Sequence, residues 1–118
     1  MKKAILATAF LLAGCASADQ PMHHATKAES DTATKAYLDC ATQQIATLDD
    51  GISDARTIAA GAAAACTAEY RAMSATDASR RPTQREARYY MEIAMSDPHR
   101  PDELIPLVLA ARKRAARR

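Results

Sequence analysis

Residues 31–73 read DTATKAYLDCATQQIATLDDGISDARTIAAGAAAACTAEYRAM, and the punctuation of this stretch decides the fold. Asp31 to Asp50 has helix-forming composition, and Gly51 supplies a left-handed C-terminal cap. Ser53 or Asp54 then caps a second helix running to about Met73. The turn between them makes the pair an antiparallel helical hairpin. Cys40 lies thirteen residues before Ser53 and Cys66 thirteen after it, so the two fall at the same level. At helical spacing Ala33, Ala36 and Tyr37 share the Cys40 face, and Ala55, Ala59, Ala62 and Tyr70 share the Cys66 face. Alanine on both faces lets the backbones approach closely.

The first helix carries a second apolar stripe, Leu38, Ala41, Ile45 and Leu48, turned away from Cys40. A lone hairpin would leave it wet, so the rest of the chain is expected to cover it. That remainder follows a polar break at Ser74–Pro82. Thr83-Gln84-Arg85-Glu86 matches a capping box, which starts a third helix presenting Ala87, Tyr90, Met91 and Ala94. The helix stops near Asp97-Pro98, because the residue before proline disfavours helical geometry. Asp102 is expected to cap a fourth helix, with Pro106 in its first turn and Leu104, Ile105, Leu107, Val108 and Leu109 as its apolar side.

Composition agrees. The chain has 118 residues, 48% of them hydrophobic, and a formal charge of +2, which fits one small domain. Alanine accounts for 29 residues, aromatics are one phenylalanine and four tyrosines, and there are three glycines. Closely packed helices suit this balance, a sheet does not, and no Gly-rich phosphate loop can be built. The expected fold is all-α: a pinned antiparallel hairpin covered by one or two C-terminal helices, a small three- to four-helix bundle.

The N-terminus points to a compartment. Lys2 and Lys3 precede a short apolar run, Ala4–Leu12, of signal-peptide length and too short to span a bilayer. The run closes on Leu12-Ala13-Gly14-Cys15, which resembles the lipobox of bacterial prolipoproteins. The resemblance covers about fifteen residues and none of the mature domain. It implies that residues 1–14 are removed, that the Cys15 thiol carries a diacylglycerol, and that the new amino group is acylated. Two or three acyl chains anchor far more firmly than one, at about 0.8 kcal/mol per buried methylene. Ala16 after the lipid site implies sorting to the outer membrane, with the domain in the periplasm and surface exposure left open. Residues 15–30, small and polar with Pro21, read as a flexible lipidated tether. Residues 31–79 form the hairpin, and 80–118 the C-terminal helical segment with a basic tail.

With Cys15 assigned to the lipid, Cys40 and Cys66 remain as a pair in an oxidising compartment. There is no Cys-x-x-Cys and no histidine near either, so a structural disulfide is expected rather than a metal or redox site. A bridge requires Cα atoms within about 4.4–6.8 Å, closer than ordinary helix packing permits without small neighbours. The bridge and the alanine pattern therefore explain one another.

Charge is polarised. Residues 31–79 carry three basic and seven acidic side chains, and residues 80–118 carry ten and five. Arg112, Lys113, Arg114, Arg117 and Arg118 crowd the last seven positions. This tail has three readings. It can be a solvated helix end whose charge suits the dipole, a contact for an anionic or acidic envelope partner, or a phosphate binder. Nucleic acid is not expected, because an exported lipoprotein seldom meets it and no aromatic stacking platform accompanies the arginines. His23 and His24, after Met22, have the chemistry to hold copper or nickel, but a full site needs more ligands and His99 is far off in sequence. No metal site and no cofactor are assigned. No nucleophile–histidine–carboxylate order or metalloprotease spacing occurs, and no small-molecule substrate is evident. The expected function is a non-catalytic envelope lipoprotein acting as an interaction or structural module through its basic C-terminal surface. The alternative is a small inhibitor or accessory subunit of an envelope enzyme.

Overall fold

The computed structural model describes residues 23–118, and every regular element among them is helical. The signal segment, Cys15 and the tether up to Met22 lie outside the described residues. Helix α1 spans Lys27–Leu48. It begins four residues before the expected Asp31, so residues 27–30 are helix rather than tether. The cause is a capping box: the Thr26 hydroxyl accepts from the Glu29 N–H, and the Glu29 carboxylate accepts from the Thr26 N–H at 2.7 Å. Two donors that would end the helix unpaired are thereby satisfied.

The turn is held by carboxylates. Asp49 closes α1 one residue before the expected end, and Gly51 takes the left-handed conformation with φ +72°. The Asp49 carboxylate accepts from the Gly51 N–H, and Asp50 accepts from the N–H groups of Ile52 and Ser53 at 2.9 and 2.7 Å. Asp54 then caps α2, Ala55–Ala65, by accepting from the Thr57 N–H at 3.0 Å.

The second arm continues past Met73 and is interrupted once. Helix α3 runs Thr67–Ser79, and the break falls on Cys66 itself. The Thr67 hydroxyl bonds the Ala63 and Ala64 carbonyls there, and the Arg100 guanidinium donates to Ala63 at 3.2 Å. The expected polar break at Ser74 is helical because its small residues face α1. Ser74 and Ala78 are buried, and the Ser30 hydroxyl donates to Asp77 at 3.1 Å. Small side chains let α3 lie close along α1.

Cys40 and Cys66 form the disulfide, with Cα atoms 6.0 Å apart. Ala41, Ala59, Ala62 and Ala63 are fully buried around it, whereas Ala36 is exposed and does not join the interface. The Tyr37 and Tyr70 rings meet edge to face at 5.3 Å. Ala41 and Ile45 of the second stripe are covered as expected, but Leu38 and Leu48 stay 43% and 40% exposed at its margins.

What covers Ile45 is the C-terminal segment. Helix α4 spans Gln84–Ser96, begun by the Thr83–Glu86 capping box and ended before Pro98. A 3-10 turn, Arg100–Leu104, leads into α5, Ile105–Ala115. Asp102 does not cap this helix. Its carboxylate faces Arg56 at 3.4 Å and His99 at 3.5 Å, and the α-helical register starts at Ile105, which places Pro106 second. Proline lacks an N–H and so fits that first turn. Leu104 and Val108 enter the core beside Ile45, Ile58 and Ala59. Helix α4 instead packs on α3 and has no fully buried residue.

The core contains one unpaired polar atom among the described residues, the Tyr37 hydroxyl. Burial pushes its pKa up. Replacing both members of a lost hydrogen bond by apolar groups is nearly neutral, and here one member is already missing. Tyr37→Phe should therefore leave thermal stability unchanged or raise it by about 1 kcal/mol. A drop in melting temperature would show that the hydroxyl is bonded.

Candidate functional site

The end of the bundle that carries the α1–α2 turn also carries the C-terminus of α5. Arg112 joins them. Its Nε donates to Asp49 at 3.0 Å, while its Nη2 donates to Asp49 at 2.7 Å and to the Ser53 carbonyl at 2.6 Å. Such a fork on a carboxylate is a geometry lysine cannot copy. The two side chains are 28% and 13% exposed. Arg112, expected as part of the basic contact surface, is thus a structural clamp. Sequence reasoning treats the charge run as a unit, although Arg112 lies one helical turn beyond the buried Val108, on the packed side of α5.

Lys113, Arg114, Arg117 and Arg118 are exposed beyond the clamp, and none has an ion-pair partner among the described residues. At the same end of the bundle Ile52 stands at the tip of the turn, 90% exposed. Sequence reasoning missed it, although an isoleucine directly after the turn glycine was the available sign. Ile52 sits on a loop whose backbone N–H groups are fixed by Asp49 and Asp50, so its presentation is ordered. A shallow concavity of about 580 Å³ lies next to it, lined by Ile45, Asp49, Gly51, Ala111, Arg112 and Ala115.

The turn carboxylates are held in their charged form. Asp49 lies below its usual range because Arg112 and then the Gly51 N–H bond it. Asp50 is lowered to about 2 by the N–H groups of Ser53 and Ile52. Asp54 is lowered by its side-chain and backbone bonds to Thr57. A carboxylate whose folded pKa is depressed stabilises the fold above its unfolded pKa, and that stabilisation disappears as pH falls through the folded value. Urea midpoints should therefore hold from neutrality to about pH 4 and fall steeply toward pH 2. Asp50→Asn should flatten part of that decline. An acid profile identical to wild type would remove Asp50 from the account.

The other end of the bundle receives the chain from Met22. The His24 ring nitrogen donates to the Ser79 carbonyl at 2.7 Å, and the Ala25 N–H donates to the Ser79 hydroxyl at 3.0 Å. His23 lies against the Glu29 carboxylate at 3.3 Å. His24 thus docks the residues before α1 on α3, His23 pairs locally with Glu29, and His99 stands by Asp102 on the C-terminal segment. The Cys40 and Cys66 sulfurs lie within 4.8 Å of a Glu69 carboxylate oxygen, but the disulfide consumes both sulfurs and leaves no thiolate ligand.

These features define the class: a disulfide-pinned all-α bundle with a charged, loop-tipped end opposite the point where its N-terminal strand enters. Comparison with protein-family models, curated proteins and solved structures returns no match for this chain.

Proposed function

We propose that the protein is a non-catalytic envelope lipoprotein that holds an interaction module away from its membrane. In this reading Cys15 carries the lipid, and the end bearing Ile52, Lys113, Arg114, Arg117 and Arg118 meets an acidic protein. The carrying observation is the separation of the two ends. Helix α1 places 22 residues between Thr26, where the N-terminal strand docks, and Asp49, where Arg112 clamps the tail. At 1.5 Å per residue that is about 33 Å. A membrane holding the N-terminal end leaves the basic end facing outward. An ordered, exposed isoleucine at the same end of the bundle as four tail cations suits a protein with an apolar recess and an acidic patch better than a uniformly charged surface.

Crosslinking in intact cells tests this. Replacing Lys113, Arg114, Arg117 and Arg118 by Gln, with Arg112 kept, should abolish the adducts, and Ile52→Ser should weaken them without lowering stability. Adducts unchanged in both variants would overturn the proposal.

A further inference from the structure

We propose that the α3–α4 corner and the first turns of α4 form a second, membrane-contacting surface, which meets anionic phospholipid headgroups of the membrane that holds the anchor. The inference rests on the lipoprotein reading for its orientation, and on three observations for its chemistry.

The first is where the chain outside the described residues arrives. His23 lines a groove of about 350 Å³ between α3 and α4, together with Ala78, Ser79, Gln84, Arg88 and Met91. Seven residues lie between Cys15 and His23, and eight steps of about 3.3–3.6 Å per residue keep the lipid site within roughly 29 Å of that groove. The corner of the bundle nearest the anchor is therefore this one.

The second observation is charge. Residues 80–88 hold Arg80, Arg81, Arg85 and Arg88 against a single acid, Glu86. Glu86 is turned back onto the Thr83 N–H by the capping box. Arg81 lies over the Tyr90 ring at 4.4 Å, which orders its guanidinium at the corner. Asp77 and Glu92 are the other acids near this cluster, and Asp77 accepts from Ser30. Four guanidiniums on one corner complement phosphodiester groups, which arginine recognises in planar pairs.

The third is an unpartnered row that joins one cation to two large apolar side chains. Arg85, Tyr89 and Ile93 follow one another at four-residue steps on the side of α4 away from α3. Tyr89 is 66% exposed and Ile93 50% exposed. A tyrosine and an isoleucine beside arginines, on a helix with no fully buried residue, have the chemistry of an interfacial helix. The basic tail lies at the opposite end and takes no part.

Arginine footprinting reads both ends in one experiment. The full chain purified from membranes is placed on phosphatidylglycerol-rich or pure phosphatidylcholine vesicles, treated with phenylglyoxal and analysed by peptide mass. On the anionic vesicles Arg80, Arg85 and Arg88 should react roughly fivefold or more slowly, while Arg114, Arg117 and Arg118 keep their solution rate. Tyr89→Ser with Ile93→Ser, both at exposed positions, should reduce that protection. Protection confined to the tail, or equal at both ends, overturns the proposal. Failure of the lipoprotein reading shows separately, as absence of acyl mass on Cys15 and loss of retention on phosphatidylcholine. The anionic-vesicle footprint then judges the face by itself.

Discussion

Removing the Cys40–Cys66 bridge should lower unfolding free energy by about 3–4 kcal/mol, the loop-entropy value for a crosslink spanning 26 residues. For a domain near 100 residues, each 1 kcal/mol shifts the melting temperature by about 4–8 °C, so a loss well above 10 °C is expected for Cys40→Ala/Cys66→Ala. The size follows from what else holds the arms together. The buried side chains between them are mostly alanines, which bring little apolar area, and the second arm is interrupted at Cys66 itself. A double variant melting within a few degrees of wild type would show that the C-terminal cover supplies the stability assigned to the bridge.

Leu104→Ala is expected to have an effect of similar size through a different cause. Leu104 is one of the largest fully enclosed side chains, and it closes the core from the 3-10 turn against α2. Truncating a buried leucine costs about 2–5 kcal/mol, the spread reflecting how far the surroundings collapse. Beyond the energy, this variant reports coupling. If the C-terminal segment is part of one cooperative unit, the hairpin and the tail lose protection together in hydrogen exchange. Ile93→Ala serves as the control, since its exposed position predicts a change within about 0.5 kcal/mol. A Leu104→Ala chain as stable as that control would separate the C-terminal segment from the core.

Much of this architecture was legible in the sequence because it rests on local chemistry. Gly51, Asp54, the Thr83–Glu86 box and Pro98 act within a few residues of themselves, and each does in the structure what its type requires. The level register of Cys40 and Cys66 was readable for the same reason, being fixed by a short turn. The missed start of α1 was also local: Thr26-Lys27-Ala28-Glu29 is a capping box overshadowed by the polar composition around it. Other features depend on what lies across the bundle. Ser74 reads as a breaker until α1 packs against it. Asp102 reads as a cap until Arg56 is brought near. Arg112 reads as one charge among five until the turn delivers Asp49. For that last reason the proposed contact surface rests on Ile52 and the four cations beyond Arg112, and the basic corner at Arg80–Arg88 stands out only because His24 and Ala25 dock on Ser79.

The disulfide-pinned bundle is proposed to be held by a lipid at one end, with the other end free. The most direct test is the intact mass of the protein extracted from membranes, with free thiols alkylated before any reduction. The account predicts the mass of Cys15–Arg118 plus acyl groups and no alkylation. A full-length, unacylated chain carrying alkylated Cys40 and Cys66 would contradict both the anchor and the bridge.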